Sequence, residues 1–255
     1  MNQDIRKKYI LDTVEKNGEV TINQIVNEFS VAGMTARRDI AELVERGYLI
    51  RTHGGAVKSD PLVNMFSFSR RNDRHKEQKT AIGRTAASFV KDNDTIYIDS
   101  GTTTIKICQY LQNKKGLRVI TNSLPAASEL INYSNLDVIL IGGKIITERR
   151  SIYGATAIEQ ISKYHVKKAF IGTEGVSLEK GLTAYDSNES DVSKTVSSQS
   201  EQVFLLCDSS KIEKISFYKF LSIEDIDILI TDSSIEKEAE KEYLSAEINL
   251  IKAKL

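Results

Sequence analysis

Apolar residues at the start of the chain recur at helical spacing and predict three short helices that share one small core. The first helix carries its apolar residues between positions 9 and 14, and the second runs from 22 to 29. Thr21 and Gln24 have the spacing of a reciprocal N-terminal cap, which places the start of the second helix. The third helix, from 34 to 46, is apolar on one side and polar on the other. This succession predicts a helix-turn-helix.

A hairpin is predicted directly after the third helix. Gly47 suits the end of that helix, and apolar segments at 48–51 and 56–57 flank a glycine-rich tip. Residues 1–57 are therefore a predicted winged helix-turn-helix that binds double-stranded DNA. Side chains at the start of the third helix would face base edges or phosphates, and backbone N–H groups of the wing would approach phosphates. The residues predicted to contact DNA are Thr35, Arg37, Arg38, Arg51, His53, Gly54 and Gly55.

Composition and charge limit how such a DNA site could work. The chain has 255 residues, of which 40% are hydrophobic, enough for two cores, and its formal net charge is +0. Attraction to DNA must therefore come from a local cluster of basic residues. Acidic and basic residues nearly balance over positions 1–58, so a helical adaptor that binds protein instead of DNA is the alternative at this point.

Other sequence features exclude several classes of protein. The longest apolar runs are too short to cross a bilayer and the N-terminus lacks the hydrophobic stretch of a secretion signal, so we expect a cytosolic protein without a membrane partner. Cys108 and Cys207 lack C-x-x-C spacing and are predicted to be buried, reduced thiols. The 3 histidines are poorly spaced for zinc, and no metal site is predicted.

The remainder of the chain has the pattern of an α/β domain. Residues 58–75 are predicted to be a linker whose basic residues Arg70, Arg71 and Arg74 form a solvated face or contact DNA or the other domain. An amphipathic helix then begins near Lys76, and from residue 95 short apolar runs alternate with helical patterns. This alternation predicts a buried, mostly parallel sheet, and hence a second domain over residues 76–255.

A polar loop follows the first predicted strand of this domain. Asp99, Ser100, Gly101 and three threonines lead directly into a helical segment, so backbone N–H groups, hydroxyls and the helix dipole would together suit a phosphate group. Ser, Gly and Thr also form ordinary strand-to-helix turns, which is the structural alternative. The loop is neither a Walker loop nor a G-x-G-x-x-G fingerprint, so neither nucleotide hydrolysis nor a nicotinamide cofactor is predicted, and no other cofactor is expected.

Further polar loops follow other predicted strands, where α/β sheets usually bind ligands. Each also has a structural interpretation: Asn122 could cap a helix, paired glycines could serve turns, Glu174 could form a surface salt bridge, and Glu189 with Asp186 has capping-box spacing. The residues predicted to bind an effector are Asp99, Ser100, Gly101, Thr102, Thr103, Thr104, Thr121, Asn122, Gly142, Gly143, Gly172, Glu174, Glu189 and Lys194.

The N-terminal segment resembles the DNA-binding domain of DeoR-family bacterial transcriptional regulators. Their pattern runs through a T-x-R-R-D recognition helix into L-x-R-x-H-G-G-A, and this chain matches it from Thr35 to Asp39 and from Leu49 to Ala56. The family's usual polar positions before that helix are here Ala32 and Gly33, so the expected side-chain cap is missing.

The C-terminal part resembles the effector domain of the same family, which is related in fold to ribose-5-phosphate isomerase-like proteins. The matching segments are 99–103, 121–124, 141–143, 169–172, 181–183 and 208–211, with Ser151, Gly154 and Glu189. The resemblance implies a sensor for a phosphorylated sugar, with the threonine loop on the phosphate and the Gly142–Gly143, Gly172–Gly175 and Glu189 regions facing the sugar.

Two positions depart from the family pattern. The family's common G-x-D-G segment has Glu174 in place of the aspartate, and its frequent V-K pair is Val192-Ser193, with Lys194 one place later. A shift of one residue turns a side chain by about 100° around a helix, so the ammonium group of Lys194 would point in a different direction.

These features together predict a cytosolic transcriptional repressor of carbohydrate-metabolism genes. A phosphorylated sugar in the C-terminal domain would control its affinity for operator DNA, and a small DNA footprint favours a homo-oligomer, a dimer or tetramer. On this interpretation the protein is not an enzyme and has no catalytic residue. One alternative is a sugar-phosphate isomerase with a DNA-binding extension, in which Glu174, Glu189 or Asp99 would act as the general base. Another is a transcriptional activator, which the sequence does not distinguish from a repressor.

Overall fold

The computed structural model describes residues 3–45, 48–58 and 68–255 and divides the chain into two compact units, Met1–Arg74 and His75–Leu255. The first unit combines helices with a three-stranded antiparallel sheet in the order β1-β3-β2. Its described elements are α1 (Gln3–Asn17), β1 (Glu19–Thr21), α2 (Ile22–Phe29), α3 (Gly33–Glu45), β2 (Leu49–Arg51), β3 (Gly55–Lys58) and α4 (Phe68–Asp73).

The three predicted helices share one core, as their apolar spacing requires. The hydroxyl of Thr21 accepts a hydrogen bond from Gln24 N at 3.2 Å, and Gln24 Oε1 accepts one from Thr21 N at 2.7 Å, which confirms the predicted cap. Buried residues of the helices and the sheet form the core: Ile10, Val14, Val20, Ile25, Ala36, Ile40, Leu43, Leu49 and Ala56.

The two strands of the wing are joined in one sheet by β1, a strand before α2 that the sequence pattern did not predict. β1 pairs with β3, which also pairs with β2. Gly55 is buried in this sheet, and a Cβ atom there would lie 1.9 Å from the carbonyl oxygen of Val20. β1 is only three residues long, too short for alternation of apolar and polar residues to reveal it.

The structure also differs from the predicted linker over 58–75. Residues 68–73 form α4, whose Phe68 is buried, and the Arg70 guanidinium carbon lies 4.3 Å from the centre of the Tyr48 ring. This cation–π contact holds the helix within the first unit. Residues 59–67 of the predicted linker lie outside the described residues.

The second unit is built on a seven-stranded parallel sheet in the order β15-β14-β12-β9-β4-β5-β6. The predicted α/β class is confirmed, and the short apolar runs from residue 95 onward supply the strands of this sheet. The sheet strands are β4 (Thr95–Ile98), β5 (Arg118–Thr121), β6 (Asp137–Leu140), β9 (Val166–Ile171), β12 (Ser200–Leu206), β14 (Ile228–Asp232) and β15 (Leu250–Ala253).

Helices cover this sheet, and short antiparallel strands form two smaller, separate sheets. The helices are α5 (Lys76–Ala87), α6 (Leu124–Leu130), α7 (Ala155–Ile161), α8 (Ser187–Ser198) and α9 (Lys237–Ser245), with 3₁₀ segments at Thr104–Tyr110, Ser209–Lys211 and Ile223–Asp225. The sequence pattern did not predict the antiparallel strands, which are β7 (Lys144–Ile146), β8 (Ser151–Tyr153), β10 (Gly175–Ser177), β11 (Gly181–Ala184) and β13 (Tyr218–Leu221).

Parallel pairing brings the carboxyl ends of the strands to one edge of the sheet. β4 lies between β5 and β9, so the loops that follow these three strands are neighbours. The polar loops at 99–104, 121–123 and 172–174 therefore meet at this edge, which is the usual ligand-binding edge of an α/β sheet.

Candidate functional site

The exposed face of α3 carries two arginines near its start. Arg37 and Arg38 are exposed, and neither has a hydrogen-bond or ion-pair partner among the described residues. The next residue, Asp39, is fully buried and pairs with Arg6 of α1. The helix thus directs Asp39 into the fold and the two arginines outward, while Thr35 is half-buried beside them.

Of the four wing residues predicted to contact DNA, three are exposed and one is buried. Arg51, His53 and Gly54 are exposed, and a Cβ atom at Gly54 would meet open space. Gly55 is buried against β1, so strand packing alone explains its lack of a side chain. Gly54 O accepts a hydrogen bond from Ile22 N at 2.9 Å, which joins the wing to the start of α2.

The threonine loop after β4 is held in place by its own polar groups. Thr104 Oγ1 lies 2.7 Å from the carbonyl oxygens of Asp99 and Gly101, and Asp99 Oδ2 accepts a hydrogen bond from Gly172 N at 3.2 Å. Thr104 and Asp99 therefore hold the shape of the loop. The segment that follows is a 3₁₀ helix, where the sequence predicted an ordinary helix.

Two threonine hydroxyls of this loop are available for a ligand. Thr102 and Thr103 are 5% and 8% exposed, and within the described chain their hydroxyls have no hydrogen-bond partner. Nearby, Ser100 Oγ lies 2.7 Å from the hydroxyl oxygen of Tyr153 on β8. Among the described residues, neither hydroxyl oxygen belongs to the fully buried atoms that lack a partner, so both remain accessible to a polar group from outside the chain.

The loop after β5 joins neighbouring strands and leaves one acceptor unused. Thr121 Oγ1, predicted to bind effector, donates to Ile98 O at 2.7 Å and so connects β5 to β4. Asn122 Nδ2 donates to Ile152 O at 3.2 Å, whereas Asn122 Oδ1 is buried and accepts no hydrogen bond from any described residue. The hydroxyl oxygen of Ser151 is in the same situation.

The paired glycines after β6 serve chain packing. Gly142 N donates to Gln160 Oε1 at 2.7 Å. Gly143 has φ 151°, and a Cβ atom there would lie 2.8 Å from Tyr153 O. The strand β7 that follows pairs with β8, so both glycines have a structural role in this part of the fold.

An ion cluster lies next to the threonine loop at the end of β9. Glu174 Oε1 is 2.7 Å from Arg149 Nη1, and Glu174 Oε2 is 3.1 Å from Lys211 Nζ. The Arg149 side chain is only 5% exposed. Sequence reasoning did not identify Arg149 or assign Lys211 to the site, because the three residues are far apart in the chain and no local motif relates them.

Two predicted effector residues belong to α8. The helix contains Glu189, but its side chain lies outside what the structure describes. Lys194 is exposed in a surface groove with Lys219 and Ser222, and no residue of the threonine loop lines that groove. Its neighbours Val192 and Ser193 are buried, so the exposed ammonium group of Lys194 is directed away from the core, as the shift by one residue implies.

Other side chains bear on what the site can hold. The described residues include no group of three or more His, Cys, Asp or Glu side chains placed to hold a metal ion. Cys108 and Cys207 are buried free thiols, as predicted, and burial raises the pKa of both. Among the described helices, none is long and apolar enough to span a membrane.

Comparison with protein families and relatives gives a consistent assignment for both units. Residues 6–61 match the DeoR-like helix-turn-helix domain, and residues 74–233 match the DeoR C-terminal sensor domain. The chain is 38% identical over 232 residues to the HTH-type transcriptional repressor GlcR of Bacillus subtilis, covering 91% of this chain and 89% of that protein. It is 32% identical over 247 residues to the lactose phosphotransferase system repressor of Lactococcus lactis, covering 95% and 96%.

A solved structure also matches part of the chain. Ribose 5-phosphate isomerase A from Neisseria gonorrhoeae has 21% sequence identity and a TM-score of 0.39, over 54% of this chain and 53% of that one.

Proposed function

Because the chain belongs to the DeoR family of helix-turn-helix transcriptional regulators, we propose that it represses transcription by binding operator DNA through α3 and the wing. A phosphorylated sugar bound at the carboxyl edge of the parallel sheet would change that affinity. The two relatives that are named as repressors, one of them of a lactose phosphotransferase system, support both the negative sign of regulation and the link to sugar metabolism.

Two exposed arginines on α3, which have no partner among the described residues, are the observation that carries the proposed DNA binding. A guanidinium group offers donors that fit guanine and phosphate oxygens, and the start of a recognition helix is the part that faces base edges. Arg38, followed by the buried Asp39, is held at a defined angle by the ion pair to α1. Thr35, Arg37, Arg51, His53 and Gly54 complete the proposed contact surface.

The proposed effector site is supported by polar groups that have no partner among the described residues and by the ion cluster of Glu174, Arg149 and Lys211. The Thr102 and Thr103 hydroxyls would donate to phosphate oxygens, since charge-assisted hydrogen bonds are the stronger ones. Asn122 Oδ1 would accept a hydrogen bond from a sugar hydroxyl. Arg149 and Glu174 would then face the remaining part of the sugar with both donors and acceptors.

We propose that this site binds its ligand without turnover. Glu174, a candidate base, already has both carboxylate oxygens paired with cations, and Asp99 accepts the Gly172 N–H group. Purified protein incubated with pentose and hexose phosphates would distinguish binding from catalysis. Saturable binding without product supports the sensor, whereas isomerised product supports the enzyme.

We also propose that the protein works as a homo-oligomer. One winged helix-turn-helix covers few base pairs, so specific binding to an operator requires two or more copies on repeated or inverted half-sites.

A further inference from the structure

Met34 shares the exposed face of α3 with the two arginines. Residues three and four positions apart are neighbours on a helix surface, so Met34 lies next to Arg37 and Arg38. The opposite face of α3 packs into the core through Ala36, Asp39, Ile40 and Leu43.

The Met34 side chain is 73% exposed, more than the other exposed large apolar residues described in the first unit, Ile5 at 55% and Ile50 at 47%. It therefore contributes little to the core of that unit. Single exposed apolar side chains are common on protein surfaces, so exposure alone assigns no role to Met34. Its position does suggest a role, because Met34 lies on the first turn of the helix beside two arginines for which the described part of the chain offers no partner.

The chemistry of a methionine side chain limits what it can recognise on DNA. A thioether has no donor and is only a weak acceptor, so Met34 can form no strong hydrogen bond with a base or a phosphate. In the major groove the apolar group that a base pair presents is the 5-methyl group of thymine. The flexible, polarizable methionine side chain suits such a small apolar contact.

We propose that Met34 contacts the 5-methyl group of a thymine in the operator and thereby selects an A·T pair at that position. This inference rests on the proposed DNA-binding function of α3. In this arrangement Arg37 and Arg38 supply attraction and polar contacts, and Met34 supplies an apolar contact that discriminates thymine from cytosine.

Replacing thymine with deoxyuridine tests this contact, because it removes the methyl group and leaves the pairing unchanged. The full-length protein would first select its highest-affinity duplex from a randomised library. Each thymine of that duplex would then be replaced singly, and the Kd measured by fluorescence anisotropy at constant salt. Loss of one buried methyl should weaken wild-type binding about fourfold at one thymine of each half-site.

Variants of Met34 identify the side chain that makes the contact. Met34→Ala should bind the selected duplex more weakly and lose its response to deoxyuridine at the sensitive position. Met34→Leu should keep most of that response. Ile5→Ala is a matched control on α1, since it also removes an exposed apolar side chain but should leave both the Kd and the response to deoxyuridine unchanged.

Two results would overturn the inference while leaving the proposed function intact. One is a selected duplex in which no thymine replacement weakens wild-type binding. The other is an equal loss at the sensitive position in wild type and Met34→Ala. If the library yields no enriched duplex, the proposed DNA binding fails, and the role of Met34 fails with it.

Discussion

Arg6 on α1 and Asp39 on α3 form a buried ion pair, in which Arg6 Nε lies 2.7 Å from Asp39 Oδ2. Asp39 is fully buried, and its hydrogen bond raises the pKa of Arg6 against the opposing effect of burial. Asp39 follows the arginines proposed to contact DNA, so this pair holds the contact face of α3 at a defined angle to α1. The aspartate of the T-x-R-R-D pattern thus has a structural role in this chain.

Removal of Asp39 should destabilise the first unit. Asp39→Ala removes the carboxylate that pairs with the buried Arg6 guanidinium group and should lower the free energy of unfolding by about 3 to 5 kcal/mol. Urea denaturation followed by circular dichroism measures this change. Glu15→Ala is the matched control, because the Glu15–Lys58 pair is exposed and should contribute about 1 kcal/mol or less. Similar small losses in both variants would contradict the structural role of Asp39.

Arg38→Ala should weaken operator binding and leave the fold and effector affinity intact, because Arg38 is exposed and has no described partner. Loss of a base contact should cost about 1 to 3 kcal/mol of binding free energy. Arg37→Ala should weaken binding more uniformly across DNA sequences if Arg37 contacts phosphate. Anisotropy titrations at constant salt measure both effects, and an unchanged operator affinity for Arg38→Ala would remove it from the contact surface.

Much of the fold could be predicted because its main elements leave strong local patterns. The three N-terminal helices repeat apolar residues at helical spacing, and buried parallel strands appear as continuous apolar runs. The strands β1, β10 and β11 were not predicted. They have only three or four residues, too few for a period to be recognised, and they lack the continuous apolar run that marks the equally short β4 and β5. Their pairing depends on contacts with strands elsewhere in the chain.

The candidate site was harder to predict, because function and packing use the same residue types. Within the threonine loop, Thr104 is used to shape the backbone and Thr102 has no described partner, a difference that the sequence does not encode locally. The pairing of Arg149 with Glu174 joins residues on separate loops. Gly55 and Gly143 are explained by close approach of backbone, which becomes visible only when the strands are in place.

Oligomeric state can be tested in solution. We expect at least a dimer by light scattering at working concentration, both without DNA and with operator DNA. A monomeric mass under both conditions would contradict the proposed use of paired half-sites.

The threonine loop should govern the response to effector. Thr102→Val and Thr103→Val each remove a hydroxyl at nearly constant volume, and each lost hydrogen bond to a phosphate should cost about 1.5 to 3 kcal/mol of effector binding. Both variants should bind operator normally and resist release by the effector. Thr104→Val serves as the comparison variant. It removes hydrogen bonds to the loop backbone, so it should lower the stability of the protein in addition to its effector affinity. A full effector response in both Thr102→Val and Thr103→Val would place the phosphate elsewhere.

Effector-controlled release from DNA tests the central claim most directly. A fluorescent operator duplex bound to the wild-type protein would be titrated with a panel of pentose and hexose phosphates and with the corresponding unphosphorylated sugars. Coupling is reciprocal, so a ligand that prefers the DNA-free state must weaken operator affinity by the factor by which DNA weakens ligand binding. We predict that at least one sugar phosphate releases the operator and that its unphosphorylated form does not. No release by any phosphorylated sugar, or equal release by both forms, would contradict the account.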